Sequence, residues 1–339
     1  MLGAITGMFS RGGATRESRL AEITAMCALR DQLVIGFSNG VLILLDTDKL
    51  EIGFSHKQFT KAGKPIDKLK INNCGDVVNQ GSSPDSLTIL FSLSDGLLSY
   101  HHFPKITLID ELIMEPNVLD FQPYSQPGKS SKRSFLATVH KNREIKIFML
   151  RVLKEQQLDY RYVTKFTLDQ VPQSFIVYRD IFVITYQTHL EYVRIDNKGK
   201  DAETITRINP LLWHQQDSTE RESIAMPVFD ESIQAFIITK DDTSFYMDVK
   251  GVYDHQFNKI KWSDRVLKVF IVRPYLVGFL PKSIEFKCIF NPNRVVQKVE
   301  LLQSQVMRQT VAWNVRELDS LYVLLARKNT NIKVLMKCT

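Results

Sequence analysis

The segment Gly36-Phe37-Ser38-Asn39-Gly40 matches G-x-S-x-G, the pattern that lifts a serine nucleophile onto a sharp turn between a strand and a helix. That chemistry needs the helix. Here the turn runs directly into Val41-Leu42-Ile43-Leu44-Leu45, an apolar β-type run, so Asn-Gly reads as the turn of a hairpin instead. His101-His102 could suggest a metal pair, but neighbours in a strand point to opposite faces and cannot easily chelate one ion. His56, His140, His189, His214 and His255 stand alone, and the carboxylates Asp241-Asp242 fall where a hairpin turn is expected. Cys27, Cys74, Cys288 and Cys338 include no C-x-x-C pair, which argues against structural zinc and suits reduced thiols. There is no glycine-rich phosphate loop. No catalytic, cofactor-binding or metal-ligating residue is assigned, and the chain is not expected to be an enzyme.

The elements that hold these residues repeat. A hairpin of two strand-like runs recurs seven times: Leu33–Asp46, Leu87–His102, Ser134–Leu150, Ile181–Ile195, Ala235–Val249, Tyr275–Phe290 and Leu321–Met336. The turns fall near residues 39, 95, 142, 188, 242, 282 and 329, at steps of 40 to 56 residues. Four short strands with their loops need about 40–45 residues per propeller blade. Shorter runs precede most hairpins, as at Ile23–Ala28, Ile66–Ile71, Val118–Phe121, Phe175–Tyr178, Val266–Ile271 and Thr310–Trp313. Others follow, as at Ile106–Leu112, Tyr160–Leu168 and Val295–Leu302. Ile145, Ile147 and Met149 share one face, a period of two that belongs to strands. The fold expected is all-β, a seven-bladed β-propeller with four-stranded antiparallel blades over residues 20–339. Residues 1–19 form an N-terminal segment. The seventh unit lacks a clear fourth strand, so Ala4–Phe9 or Glu17–Leu20 is expected to close the ring; the rival reading has MLGAITGMF touching membrane or a partner.

With 339 residues, 44% hydrophobic and 24% charged, the chain can bury a substantial core. Its net charge of +7 admits nucleic acid, an anionic membrane or an acidic protein as partner. The basic residues are scattered, the aromatics lie at core spacing within strands, and nucleic-acid motifs are missing, so no nucleic-acid partner is expected. No run approaches the ~18 apolar residues of a membrane span, and no secretory signal precedes Arg11 and Arg16. Three stretches read as long loops: Asn73–Ser86, Pro123–Lys132 and Asn209–Ser223. The first two would leave one face of a propeller on adjacent blades, and the third would lie on the opposite face. Loops on a rigid scaffold often carry binding, which makes Lys129, Lys132, Arg133, Trp213 and His214 the candidate partner-binding residues.

ITAMCALRDQLVIGFSNGVLIL (Ile23–Leu44) resembles the opening blade of a citron homology (CNH) domain, with Cys27, Leu33, Ile35, Gly36, Gly40 and Leu42 in place and Phe37 where the family often has Thr. Val171–Gly199 and Gly251–Leu301 are similar to CNH domains of the Vam-six/Vps-thirty-nine and TGF-beta-receptor-associated type. The most specific dipeptides are Trp262-Ser263, Pro274-Tyr275, Leu280-Pro281 and Ile284-Glu285. The resemblance implies a non-catalytic interaction domain of a HOPS or CORVET tethering subunit. It would recognise a Rab-type small GTPase, work with other tethering subunits, and sit in the cytoplasm, peripherally on late endosome, lysosome or vacuole membranes. In that family an α-solenoid normally follows, whereas this sequence stops at the propeller's end. The alternatives are a CNH-type signalling scaffold for Rho- or Ras-family GTPases and a propeller hydrolase, which would need acids, bases or metal ligands converging from several blades.

Overall fold

The computed structural model describes residues 23–29, 32–46, 51–56, 59–60, 63–74, 87–103, 112–127, 132–153, 158–196, 204–212, 226–230, 233–252, 259–272, 274–300, 311–315, 320–326 and 333–338. Their strands form seven antiparallel sheets, each of strands consecutive in the chain. The first holds β1 (Ile23–Leu29), β2 (Gln32–Phe37), β3 (Leu42–Asp46) and β4 (Glu51–His56). The second holds β5 (Lys68–Cys74), β6 (Leu87–Ser94), β7 (Leu97–His102) and β8 (Leu112–Glu115). The third holds β9 (Val118–Pro127), β10 (Lys132–His140), β11 (Glu144–Val152) and β12 (Leu158–Thr167). The fourth holds β13 (Ser174–Tyr178), β14 (Ile181–Thr185), β15 (His189–Asp196) and β16 (Thr204–Leu212). The fifth holds β17 (Met226–Asp230), β18 (Ala235–Lys240), β19 (Thr243–Asp248) and β20 (Ile260–Lys261). The sixth holds β21 (Lys268–Val272), β22 (Tyr275–Phe279), β23 (Ser283–Cys288) and β24 (Asn291–Glu300). The last has three described strands, β25 (Val311–Val315), β26 (Ser320–Ala326) and β27 (Lys333–Cys338).

All seven hairpins expected from the alternating runs are present, as β2–β3, β6–β7, β10–β11, β14–β15, β18–β19, β22–β23 and β26–β27. Their first-strand neighbours lie next to one another in cyclic order: β1 beside β5, then β9, β13, β17, β21 and β25, which returns to β1. The arrangement is an all-β, propeller-type domain. Among the described residues no helix is long and apolar enough to cross a membrane. The candidate ring-closing segments Ala4–Phe9 and Glu17–Leu20 lie outside the described residues. So does the run Ile106–Leu112 except for Leu112, where β8 begins. The fifth sheet has a first strand, MPVFD, that the sequence reading did not pick out: Pro227 and Asp230 interrupt its apolar character.

The turns obey local stereochemistry. Gly40 takes φ +75°, its N–H donates to the Phe37 carbonyl, and the strand β3 follows at once. Asn39 does not share that positive φ; its side-chain oxygen instead accepts from the Val41 N–H at 3.2 Å. The turn is therefore a three-residue loop closed by a left-handed glycine, where Asn-Gly suggested two left-handed residues. The two-residue form occurs at Asp95-Gly96, with φ of +50° and +75° between the paired Ser94 and Leu97. In neither case does a helix follow, so the G-x-S-x-G match is turn chemistry.

Two expected loops are strand in part. Pro123–Pro127 continues β9 and pairs with Lys132–Leu136, so Pro123–Lys132 is a hairpin with only residues 128–131 between the strands. The reason is Tyr124, which is buried and stacks on Phe135 with ring centroids 5.4 Å apart. Likewise Asn209–Leu212 belongs to β16, the outer strand of its sheet, where Pro210 is tolerated because one strand edge has no ladder to feed.

The core sits between sheets. Between the third and fourth, Phe182 meets Tyr124 at 5.9 Å and Phe166 at 5.5 Å, both edge to face. Each such buried aromatic contributes about 1.5–3 kcal/mol of transfer free energy. Between the fifth and sixth, Trp262 packs with Val269, Leu276 and Leu280. A sheet exposing such faces is stable only with its neighbours in place.

Candidate functional site

Each sheet presents two ends: one carries the hairpin turns between second and third strands together with the links to the next sheet, and the other carries the remaining turns within the sheets. His101 and His102 point opposite ways, as strand neighbours must; His101 is buried with its ring tilted against Phe59, centroids 4.5 Å apart, while His102 is half-buried. The His101 Nε2 lies 3.4 Å from both Ser92 Oγ and Ser99 Oγ, and those hydroxyls are 2.7 Å apart. Ser92 at 2% and His101 at 7% exposure give a substrate no approach, so this is an internal polar cluster satisfying its own groups. Thr138 and His140 form a similar buried pair at 2.8 Å. Burial chiefly, and then the nearby Lys146 ammonium, hold the His140 pKa below its ordinary value, against the opposing pull of Glu115. Among the described residues no group of three or more His, Cys, Asp or Glu is placed to hold a metal ion.

The opposite end of the third sheet is different. On β11 the apolar series Ile145, Ile147, Met149 ends in Arg151 on the same face, and Arg151 is exposed. Arg133 on β10 is exposed too, and lies one register step beyond the Ser134–Leu150 pair, which sets it opposite Arg151. Arg161 on β12 pairs with Met149 and joins the same face. That face is the one whose Phe135, Ile147 and Val139 pack on the fourth sheet. From the fourth sheet, Arg179 occupies the β13–β14 turn with φ +56° and its guanidinium over the Tyr178 ring at 5.0 Å. Gln126 ties the two sheets there, its Nε2 donating to the Arg179 carbonyl at 3.1 Å. Three exposed arginines, Arg133, Arg151 and Arg161, thus share the face of the third sheet that turns to the fourth, with Asp159 as the carboxylate paired across from Arg151. The Arg179 side chain turns instead to Tyr178, whose ring stacks on Phe229 of the fifth sheet. Arg194 of the fourth sheet is engaged with Asp180 at 3.1 Å. Leu153, 49% exposed, adds an apolar contact at the same rim.

The sequence candidates divide accordingly. Arg133 belongs to the rim. Lys132 opens β10 beside it, with only its backbone placement described, and Lys129 lies outside the described residues. Trp213 and His214 also lie outside them; β16 leads toward them at the hairpin end, where Leu212 pairs with His189. Arg151 and Arg161 were missed, although the replacement of an apolar position by Arg at the end of β11 is visible in the sequence.

The residues carrying the family resemblance meet in one joint. Gly278 of β22 lies against the Trp262 ring, and its register partner is Glu285. Glu285, 1% exposed, accepts from Ser263 Oγ and from the Ser263 N–H at 3.4 Å. The Trp262 Nε1–H donates to Ser244 Oγ at 2.8 Å, and Lys287 lies over the indole at 5.5 Å. These dipeptides build the scaffold between the fifth and sixth sheets.

Radially packed antiparallel sheets with a polar rim and internally satisfied buried polar groups define a propeller-type domain whose assets are its surfaces. The CNH domain model matches residues 29–307, so the chain belongs to the CNH-domain family. CNH domains are protein-interaction domains, generally non-catalytic, and often bind small GTPases. Among solved structures the chain is similar to the AfRom2 CNH domain, with 13% identity, a TM-score of 0.55 and 94% of each chain covered. It is also similar to the computationally designed Ika8 protein, with 11% identity, a TM-score of 0.52, and 94% of this chain and 97% of that one covered. No curated protein matches.

Proposed function

We propose that the chain is the GTPase-recognising propeller of an endolysosomal membrane-tethering subunit, and that the arginine rim of the third sheet is its docking surface. Seven sheets whose first strands adjoin in cyclic order support a closed ring of seven blades. The observation that carries the docking surface is the convergence of Arg133, Arg151 and Arg161 on one face of the third sheet. Arginine presents a rigid fork of donors to carboxylates and is enriched among residues that dominate interfaces. The partner that fits is a protein face rich in Asp and Glu. The Rab type and the HOPS or CORVET setting rest on the similarity of Val171–Gly199 and Gly251–Leu301 to tethering subunits. Recruitment through such a partner would place the domain peripherally on the cytoplasmic side of late endosomes, lysosomes or vacuoles.

The test is capture of a panel of Rab, Rho and Ras proteins, each loaded with GDP or a GTP analogue, by the wild-type chain and by Arg151→Glu and Arg161→Glu. The expected result is nucleotide-dependent binding of an endolysosomal Rab, weakened about 30-fold or more by either charge reversal, the scale of an interface hot spot worth ~2 kcal/mol. Capture of Rho-family members alone would move the assignment to a signalling scaffold. Binding indifferent to both reversals would remove the rim from the reading.

A further inference from the structure

The two ends of the sheets differ in charge. Among the described residues the exposed carboxylates are Asp67, Asp95, Asp169, Asp241, Asp264 and Glu300, and all lie at the hairpin end. Asp67 accepts from the Asp95 N–H in the β6–β7 turn, the Asp169 carbonyl accepts from Arg143 of the β10–β11 turn, and Glu300 pairs with Ser283, where β23 begins. Asp241 stands in the β18–β19 turn and Asp264 in the link from β20 to β21. At the opposite end the exposed charged side chains are the three arginines of the rim, Arg179, Arg194, Lys250 and Arg294, spread over the third to the sixth sheets. The described carboxylates at that end are withdrawn from the surface. Asp180 pairs with Arg194 at 3.1 Å, and Asp248 Oδ1 accepts from the Lys250 and Val252 N–H groups at 2.9 and 2.8 Å. Asp46 and Asp159 are half-buried, and Asp230 is buried.

The same end holds the two most exposed large apolar side chains among the described residues, Phe290 at 69% and Val252 at 58%. Both follow a third strand, in the turns that lead to β24 and β20. Each turn is fixed by a tyrosine of the preceding sheet. The Tyr192 hydroxyl donates to the Val249 carbonyl and the Tyr246 hydroxyl to the Ile289 carbonyl at 3.0 Å, as Tyr100 does to Leu158 of the third sheet at 3.4 Å. These bonds hold the turns of neighbouring sheets level. In the fifth sheet the Asp248 N–H donates to the Val252 carbonyl at 3.0 Å, and Gly251, with φ +81°, lies against the Tyr192 ring. In the sixth, Ile289 is buried with its N–H on the Pro274 carbonyl at 3.0 Å, and Phe290 follows it into solvent. Surface turns favour polar residues, so two apolar tips held this firmly in water carry a cost that a partner recovers.

We infer that this end of the domain lies directly on an anionic lipid bilayer, with Phe290 and Val252 entering the interface and Lys250 and Arg294 among the headgroups. Apolar side chains flanked by Lys and Arg are what an interfacial contact requires: the first bury area in the boundary region, and the second are attracted to acidic lipids. A bilayer is flat and negative over its whole area. Cations on four successive sheets meet such a surface together, whereas the acidic patch of a single protein partner is local. The inference does not rest on the GTPase reading, because the tips belong to the fifth and sixth sheets and the rim to the third. A GTPase anchored in the same bilayer would meet the rim at the same end.

The experiment is co-sedimentation of the chain with vesicles that carry no protein, made of phosphatidylcholine alone or of two parts phosphatidylcholine to one of phosphatidylserine. Binding to the anionic vesicles that weakens as salt rises, with far less binding to the neutral ones, is expected. Phe290→Ser should weaken it about ten-fold, the worth of burying the ring, and Phe290→Trp should retain it. Lys250→Gln should weaken it about five-fold. Circular dichroism verifies that the variants are folded. Phe290→Ser should still capture any GTPase that wild type captures in solution, which separates the tips from the rim. Absence of binding to the anionic vesicles, or equal binding by wild type, Phe290→Ser and Lys250→Gln, overturns the inference. Self-association of the chain that Phe290→Ser abolishes, without vesicle binding, would assign the tips to a second copy and overturns it as well.

Discussion

Gly278→Ala tests whether the joint between the fifth and sixth sheets is as tightly built as its geometry requires. A Cβ at Gly278 would stand 2.5, 2.7 and 2.9 Å from three carbons of the Trp262 ring. Ordinary contacts begin near 3.4 Å, so the ring or the strand must move by up to about 1 Å. The ring has little freedom. Its Nε1–H is fixed to Ser244 Oγ at 2.8 Å, Ser244 is fixed to Thr239 Oγ1 at 2.6 Å, and all three residues are buried. Overpacking of this kind costs about 1–3 kcal/mol. Tearing the indole from Ser244 adds about 1 kcal/mol for a lost buried hydrogen bond. The expected destabilisation is therefore about 2–4 kcal/mol, measured as a fall in the urea midpoint with both circular dichroism and tryptophan fluorescence as probes. The decisive comparison is a double-mutant cycle with Trp262→Leu. Removing the ring should abolish most of the cost of the added methyl, a coupling of at least about 1 kcal/mol. If Gly278→Ala costs the same with and without the indole, the clash is not what the glycine avoids, and the reasoning is refuted.

Two further outcomes follow from buried polar groups. Glu285→Ala should destabilise by about 2–4 kcal/mol, because it strands the Ser263 donors and leaves the buried Lys287 without its neighbouring carboxylate; Glu285→Gln should recover part of the loss, and a urea midpoint within error of wild type for the alanine variant would contradict this. His140 has its pKa lowered in the folded state, so the unfolded chain binds the proton first. Stability should be full above about pH 6.5, the ordinary histidine value, and fall progressively as the pH drops from there to the folded pKa. A His140→Gln variant should lack that component, and parallel stability–pH curves for the two proteins would count against it.

Much of the architecture was legible in the chain because it is locally encoded. Period-two runs such as Ile145, Ile147 and Met149 make half-buried strands, and Ser38-Asn39-Gly40 or Asp95-Gly96 reverse them, using interactions that span only a few residues. The repetition of that unit pointed to a propeller, and the family resemblance agrees with the matched CNH domain. The apparent serine-nucleophile motif was also resolved locally, by the strand that follows it. What stayed hidden depends on which sheet packs on which. Pro123–Pro127 looks like a loop by composition, and becomes strand because Tyr124 is drawn between the third and fourth sheets. Arg133, Arg151 and Arg161 share a face only through strand register. The G-x-S-x-G hairpin and its six relatives were written in the sequence; the surfaces at the two ends of those sheets were decided by tertiary structure, since burial and electrostatics depend on distance in space, to which distance along the chain is no guide.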